Sequence, residues 1–183
     1  MEIEAASVRD RLLDAAEAIV GRDGVGNLTL EAVAREAGLS KGGLLYHFHS
    51  KSSLIIAIVE RLAGRSEADH GRAVEQDPVK AGAFTRAYVA TRANRFESGE
   101  SHRFHTALLA AAATDQEYLD PIRKRCVEWQ GRLEKDGIDP ATATIVRLAM
   151  DGMCLGAIFG MPVPTGEKRR LVIEKLIEMT KSE

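Results

Sequence analysis

Apolar side chains recur at Val8, Leu12, Ala15, Ala16 and Ile19, the three-and-four spacing that lines one face of a helix. The glycine-rich stretch GRDGVGN, from Gly21 to Asn27, stops that pattern, which predicts a first helix over about Val8 to Val20. Thr29 precedes a second run, Leu30, Val33, Ala34 and Ala37, that ends at Gly38. A threonine oxygen can cap a helix start, and a glycine takes up the left-handed turn at its end. By the same reasoning Ser40 caps a third helix through about Phe48. Ser50 caps a fourth from Lys51, with Leu54, Ile55, Ile58, Val59 and Leu62 on its apolar face. The fourth helix turns polar after Ala63 and should end before Asp77-Pro78, because the residue preceding a proline resists the helical conformation.

Beyond that proline the pattern predicts a helix over about Val79 to Phe96 with Phe84, Tyr88 and Val89 inward, a break at ESGES, and a sixth helix over about His102 to Ala113. Asp120-Pro121 and Asp139-Pro140 each place a capping aspartate before a proline suited to the first helical position, and so predict the starts of helices seven and eight. Helix seven carries Ile122, Cys126, Trp129 and Leu133 on one face and should stop at Gly137, while helix eight continues to about Gly160. Pro162 and Pro164 separate a last helix, about Glu167 to Thr180, with Leu171, Ile173, Leu176 and Ile177 inward. The expected fold is all-α with about nine helices, and no internal repeat is visible.

Composition agrees with that reading. A chain of 183 residues with 45% hydrophobic and 28% charged residues can bury a core and is unlike a disordered segment. Aromatics are only 5%, and the abundant Ala, Leu, Glu and Arg favour helix. A net charge of −2 means that any nucleic-acid surface must be a local patch. From Ala37 to Val59 there is no carboxylate, while Lys41, His47, His49 and Lys51 are present, so an anionic partner would be tolerated there; chance depletion of acids is the alternative. Cys126 and Cys154 are far apart and lack CxxC or metal-ligand spacing, which points to a reducing, cytoplasmic setting. The acidic start MEIEAASVRDR is unlike a signal peptide. The most apolar stretch, Leu148 to Val163, contains Asp151 and Pro162 and is short for a bilayer span, so no membrane partner is expected.

The informative stretch is TLEAVAREAGLSKGGLLYHFHSKS, from Thr29 to Ser52. A helix-turn-helix needs a small residue where its helices cross, a glycine in the turn, and an apolar residue in the second helix to pack back. Ala34, Gly38 with Leu39, and Leu44 occupy those places. With Leu44 and Leu45 turned partly inward, Lys41, Gly42, Tyr46 and His47 are left to meet a major groove or its flanking phosphates. Lys51, at a helix start, adds charge beside backbone amides that already favour an anion. On spacing alone, an ordinary helical hairpin is the competing explanation.

From about Arg9 to Leu62 the chain resembles the TetR family of repressors, through a Thr-capped helix, Ala-Gly-Leu-Ser, and a recognition helix closing with His-Phe and Ser-Lys. The resemblance implies a division into residues 1–50, a three-helix helix-turn-helix DNA-binding domain, and residues 51–183, a helical effector-binding and dimerisation domain. It implies DNA contacts from Lys41, Gly42, Gly43, Tyr46, His47 and Lys51, with the capping residues Thr29 and Ser40 beside them. Leu45 stands where many members carry a tyrosine that meets phosphate. The implied function is a ligand-responsive repressor, binding a palindromic double-stranded DNA operator as a homodimer, with a small-molecule effector and no resident cofactor. The alternative is a helical ligand-binding or scaffolding protein that does not bind DNA.

Gly152, Gly156 and Gly160 recur at every fourth position of helix eight and would let another helix approach closely. The resemblance places dimerisation on the last two helices, so these glycines, Leu171 and Leu176 are the expected interface, with packing inside one chain as the alternative. For an effector pocket the candidates are Phe84, Tyr88, Phe104, His105, Leu108, Trp129, Met150 and Met153, large or adaptable side chains that could equally be plain core. His102 and His105 lack a clear third metal ligand, and Arg147 and Asp151 are spaced to pair with each other. No GxSxG, HExxH or GxxxxGK[ST] motif occurs, and an enzyme is not expected.

Overall fold

The computed structural model describes residues 7–95 and 116–181, which form eight α-helices and no strand. The sixth helix expected over about His102 to Ala113 lies outside the described residues, and with it Phe104, His105 and Leu108. The described chain divides into two compact units, one of residues 7–62 and 116–122, the other of residues 63–95 and 123–181.

In the first unit, α1 (Val8–Asp23) is capped by Ser7, whose Oγ accepts from the Asp10 N–H at 3.1 Å. A single 3-10 turn, Val25–Asn27, leads to α2 (Leu30–Glu36) and α3 (Lys41–His47). Thr29 and Ser40 cap these two helices, accepting from the Ala32 and Gly43 N–H groups at 3.1 Å each. Gly38, at φ +66, closes α2: its own N–H reaches the Arg35 carbonyl and the Leu39 N–H reaches that of Ala34 at 2.8 Å. Only a residue at home with positive φ completes this double closure. α4 (Lys51–Gln76) starts with a reciprocal cap, the Ser53 N–H donating to Ser50 Oγ at 3.0 Å and the Ser50 N–H to Ser53 Oγ at 3.1 Å. Leu12, Leu13, Ala16, Leu28, Val33, Leu44, Leu54 and Ile58 are fully buried between these helices.

α6 does not begin where the Asp120-Pro121 pair predicts. In the labels used here α5 is Ala83–Arg95 and α6 is Gln116–Leu133, so Pro121 sits inside the helix. Proline has no N–H for the carbonyl one turn back, yet tertiary contacts hold the extra turn: Tyr118 and Ile122 pack on the first core, and the Tyr118 hydroxyl shares a 3.0 Å hydrogen bond with Ser52 Oγ.

In the second unit α5 also starts later than the expected Val79. Asp136, remote in sequence, accepts from the N–H groups of Phe84 at 3.0 Å and Thr85 at 2.7 Å and so caps the helix there. The preceding Gly82 has φ +76, and an added Cβ would lie 2.9 Å from the Thr180 carbonyl oxygen. α7 (Pro140–Ile158) follows the prediction: Asp139 accepts from the Thr142 N–H at 2.8 Å with Pro140 in the first turn. α7 is long and apolar enough to cross a membrane by length and composition, and its inward residues Ala143, Val146, Met150 and Met153 pack in this unit's core. α8 (Gly166–Met179) buries Leu176, but Leu171, expected inward, is exposed.

Candidate functional site

Two regions carry side chains suited to recognition. In the first unit, Leu44 anchors α3 from below, so the helix turns its other sides outward. Tyr46 is 82% exposed, with its ring edge-on to His47 at 5.2 Å between centroids. Thr29, Ser40, Lys41 and Gly42 are exposed, and Gly43 and His47 are half-buried. An added Cβ at Gly42 or Gly43 would meet only Ser40 Oγ, at 4.0 and 3.4 Å, so these glycines keep the helix surface low without internal crowding. Both lysines have partners within the chain. Lys41 pairs with Glu31. Lys51 is half-buried and donates to the Val25 carbonyl at 2.9 Å, closing the 3-10 turn. An ion pair as exposed as Lys41 with Glu31 contributes little and is readily exchanged for another anion.

In the second unit Phe84, Tyr88, Trp129, Met150 and Met153 share one buried cluster. The polar and charged residues around it lay beyond the pocket expected from sequence. His70, from the polar end of α4, is fully buried, with ring centroids 4.1 Å from Phe84 and 4.6 Å from Trp129. Glu67 accepts from Trp129 Nε1 at 2.7 Å and pairs with Arg125 and Arg132. Burial pushes the Glu67 carboxyl up, but the bonds from Trp129, Arg132 and Arg125 outweigh it and hold it below the usual range. Arg92 lies over the Tyr88 ring, 3.3 Å from its centroid, and Asp151 accepts from the Tyr88 hydroxyl at 2.5 Å. Arg147 pairs with the same Asp151, as its spacing in α7 predicts. Burial drives the Tyr88 phenol up and lowers His70 to about 4, so both are neutral near pH 7. A signal for Glu67 and His70 exists in the sequence: Val59, Ala63, Glu67, His70 and Val74 continue the apolar stripe of α4, and two polar residues interrupt it.

The five interface candidates divide. Gly156 is buried, and a Cβ there would lie 2.6 Å from Val163 Cγ1 of the same chain; Leu176 belongs to the chain's own core. Gly152, Gly160 and Leu171 face outward, and Gly160, at φ +66, ends α7. The glycines therefore do not form one open stripe. A different row does: Ile145, Leu148, Gly152, Leu155 and Phe159 alternate three and four apart and are all exposed, Phe159 at 68%. Among the described residues no three His, Cys, Asp or Glu side chains converge as a metal site.

Comparison with known proteins matches both regions. A family profile described as bacterial regulatory proteins, tetR family, fits residues 12–58, and one described as tetracyclin repressor-like, C-terminal domain, fits residues 82–181. The HTH-type transcriptional regulator SrpR of Pseudomonas putida is 36% identical over 56 residues, 31% of this chain and 26% of SrpR. UidR of Escherichia coli K12 is 37% identical over 59 residues, 32% of this chain and 30% of UidR. The chain thus matches about a quarter to a third of these relatives' length. The solved structure of SCO7518 from Streptomyces coelicolor A3(2) shares the fold with a TM-score of 0.76 at 20% identity, covering 97% of this chain and all (100%) of that one. The multidrug binding protein EbrR, complexed with ethidium, gives 0.69 at 23%, covering 96% and 100%. With profiles of both the N-terminal and the C-terminal domain matched in order, the chain belongs to the TetR family of bacterial regulatory proteins.

Proposed function

We propose that this chain is a cytoplasmic, ligand-responsive transcriptional repressor that binds a palindromic DNA operator as a homodimer. The observation that carries the reading is α3: a short helix anchored by Leu44, with Tyr46 and His47 outward, in a stretch from Ala37 to Val59 without a carboxylate. Such a helix enters a major groove, and Tyr46 and His47 reach base edges or adjoining phosphates. Lys41 exchanges Glu31 for a phosphate, while Lys51, Thr29, Ser40, Gly42 and Gly43 fix the approach to the backbone. The outward row from Ile145 to Phe159 on α7, with Leu171 and Gly152, packs on a second copy, because a row of this length left in water favours association. Two recognition helices then reach half-sites about 34 Å apart. The cluster of Phe84, Tyr88, Trp129, Met150 and Met153 receives a small-molecule effector, which lowers DNA affinity by as much as it prefers the arrangement that does not bind.

Selection of genomic fragments by the purified protein, followed by sequencing, tests the reading. It should return fragments sharing an inverted repeat. The in-chain partners of Lys41 and Lys51, together with Leu45, favour a second reading, a helical ligand-binding or scaffolding protein without DNA binding. Recovery of no enriched sequence would decide for that reading.

A further inference from the structure

His70 carries two unmet polar atoms in the centre of an aromatic cluster. It is 0% exposed, and among the described residues neither Nδ1 nor Nε2 has a hydrogen-bond partner. Phe84, Trp129 and Tyr88 surround it, with ring centroids 4.1, 4.6 and 6.3 Å away. A neutral imidazole offers one donor and one acceptor, and leaving both unmet carries a desolvation penalty that a leucine at this position would not. A ligand that brings its own polar group removes that penalty.

The charges around the rings decide which ligand. Glu67 is bridged by Arg125 and Arg132, and Asp151 by Arg147 and Arg92. Each carboxylate therefore holds two guanidinium groups, which among the described residues leaves one positive charge in excess at each of the two clusters. Asp136, at the start of α5, is taken up by the N–H groups of Phe84 and Thr85. Arg147 Nε is buried and has no acceptor among the described residues. An entering cation would add to a local excess of positive charge in a low-dielectric core, whereas an anion would meet that excess and an idle donor.

We infer that this cluster, taken as the effector site of the reading above, binds a planar aromatic acid. Its ring lies against Trp129 and Phe84, its carboxylate turns toward Arg92 and Arg147, and His70 hydrogen-bonds it. The rings of Phe84 and Tyr88 each pack on both His70 and Trp129, so entry separates them. Trp129, the single tryptophan of the chain, reports that directly through its fluorescence.

The test uses three probes of similar size, 4-nitrobenzoate, 4-nitrobenzyl alcohol and 4-nitrobenzylammonium, titrated into the full chain with Trp129 quenching and calorimetry as readouts. The anion should bind at least tenfold tighter than the cation, with the alcohol between. His70→Phe, which keeps the ring and removes both nitrogens, should weaken the anion at least fivefold, and His70→Gln should restore part of that loss. A cation bound as tightly as the anion, or an anion unaffected by His70→Phe, overturns the inference and leaves a ligand-responsive regulator of other specificity. Silence from all three probes overturns it as well, and DNA recognition is then judged by the fragment selection, which involves none of them. Should His70→Phe fail to fold, the order of the three probes on the unaltered chain decides.

Discussion

His70 should make the stability of this protein fall steeply in mild acid. Its ring is buried among Phe84, Tyr88 and Trp129, and the charged groups facing it are Glu67 from α4, Arg92 from α5 and Arg132 from α6. Burial is the largest influence and lowers the imidazole; Arg92 and Arg132 lower it further and Glu67 opposes them, leaving it at about 4 against 6.5 for the free side chain. Between those values the unfolded chain binds a proton that the folded chain refuses, so stability rises with pH across the window and is lost as pH falls from 6.5 toward 4. From pH 7 to pH 5 the loss from this one group is about 2 kcal/mol, and each further pH unit down to the folded value removes up to about 1.4 kcal/mol. Replacing His70 by Phe removes the titration and both unmet nitrogens while retaining a ring. The assay is urea unfolding of both proteins at pH 7, 6 and 5, followed by Trp129 fluorescence. The variant should be at least as stable at pH 7, and the gap should widen in its favour by about 2 kcal/mol at pH 5. Two stability curves that run parallel across this range would refute the buried, neutral state of His70.

Four further outcomes follow from named contacts. Tyr46→Ala and His47→Ala should each relax preference at one operator position per half-site, by about 1 to 3 kcal/mol, in a binding-selection profile; an even fall across all sequences would limit them to phosphate. Lys51→Ala should lower stability by about 1 kcal/mol through the lost bond to Val25, measured by thermal unfolding. It should also reduce the salt slope of DNA binding by about 0.9, and an unchanged slope would mean the ammonium never reaches a phosphate. Leu148→Glu combined with Phe159→Glu should yield a folded monomer by light scattering, since both side chains are exposed in the single chain; a dimer that persists would remove α7 as the interface. Gly156→Leu should destabilise by about 1 to 3 kcal/mol because its side chain would displace Val163 of the same chain, and circular dichroism during heating measures it.

The local rules written in the sequence carry the first unit almost entirely. Thr29, Gly38 and Ser40 specify caps and a turn through atoms no more than a few residues apart, and the apolar spacing of Leu30 to Ala37 and Leu54 to Leu62 orients the helices around them. Asp139 with Pro140 works the same way at the start of α7. What such rules could not supply depended on partners distant in the chain. Asp136 moved the start of α5 to Ala83, and Ser52 with the first core held α6 open past Pro121 to Gln116. Spacing marked Gly152, Gly156 and Gly160 alike, yet Val163 packs only on the second, so the outward row passes through Ile145, Leu148, Leu155 and Phe159 instead. His70 and Glu67 looked like the solvated end of a long helix, because a polar residue in an amphipathic pattern reads as exposed. The spacing from Val59 to Val74 places them on the apolar face, but their burial was decided by α5 and α6, which bring Phe84, Tyr88, Trp129, Arg92, Arg125 and Arg132 around them, since desolvation and charge pairing are properties of neighbours in space.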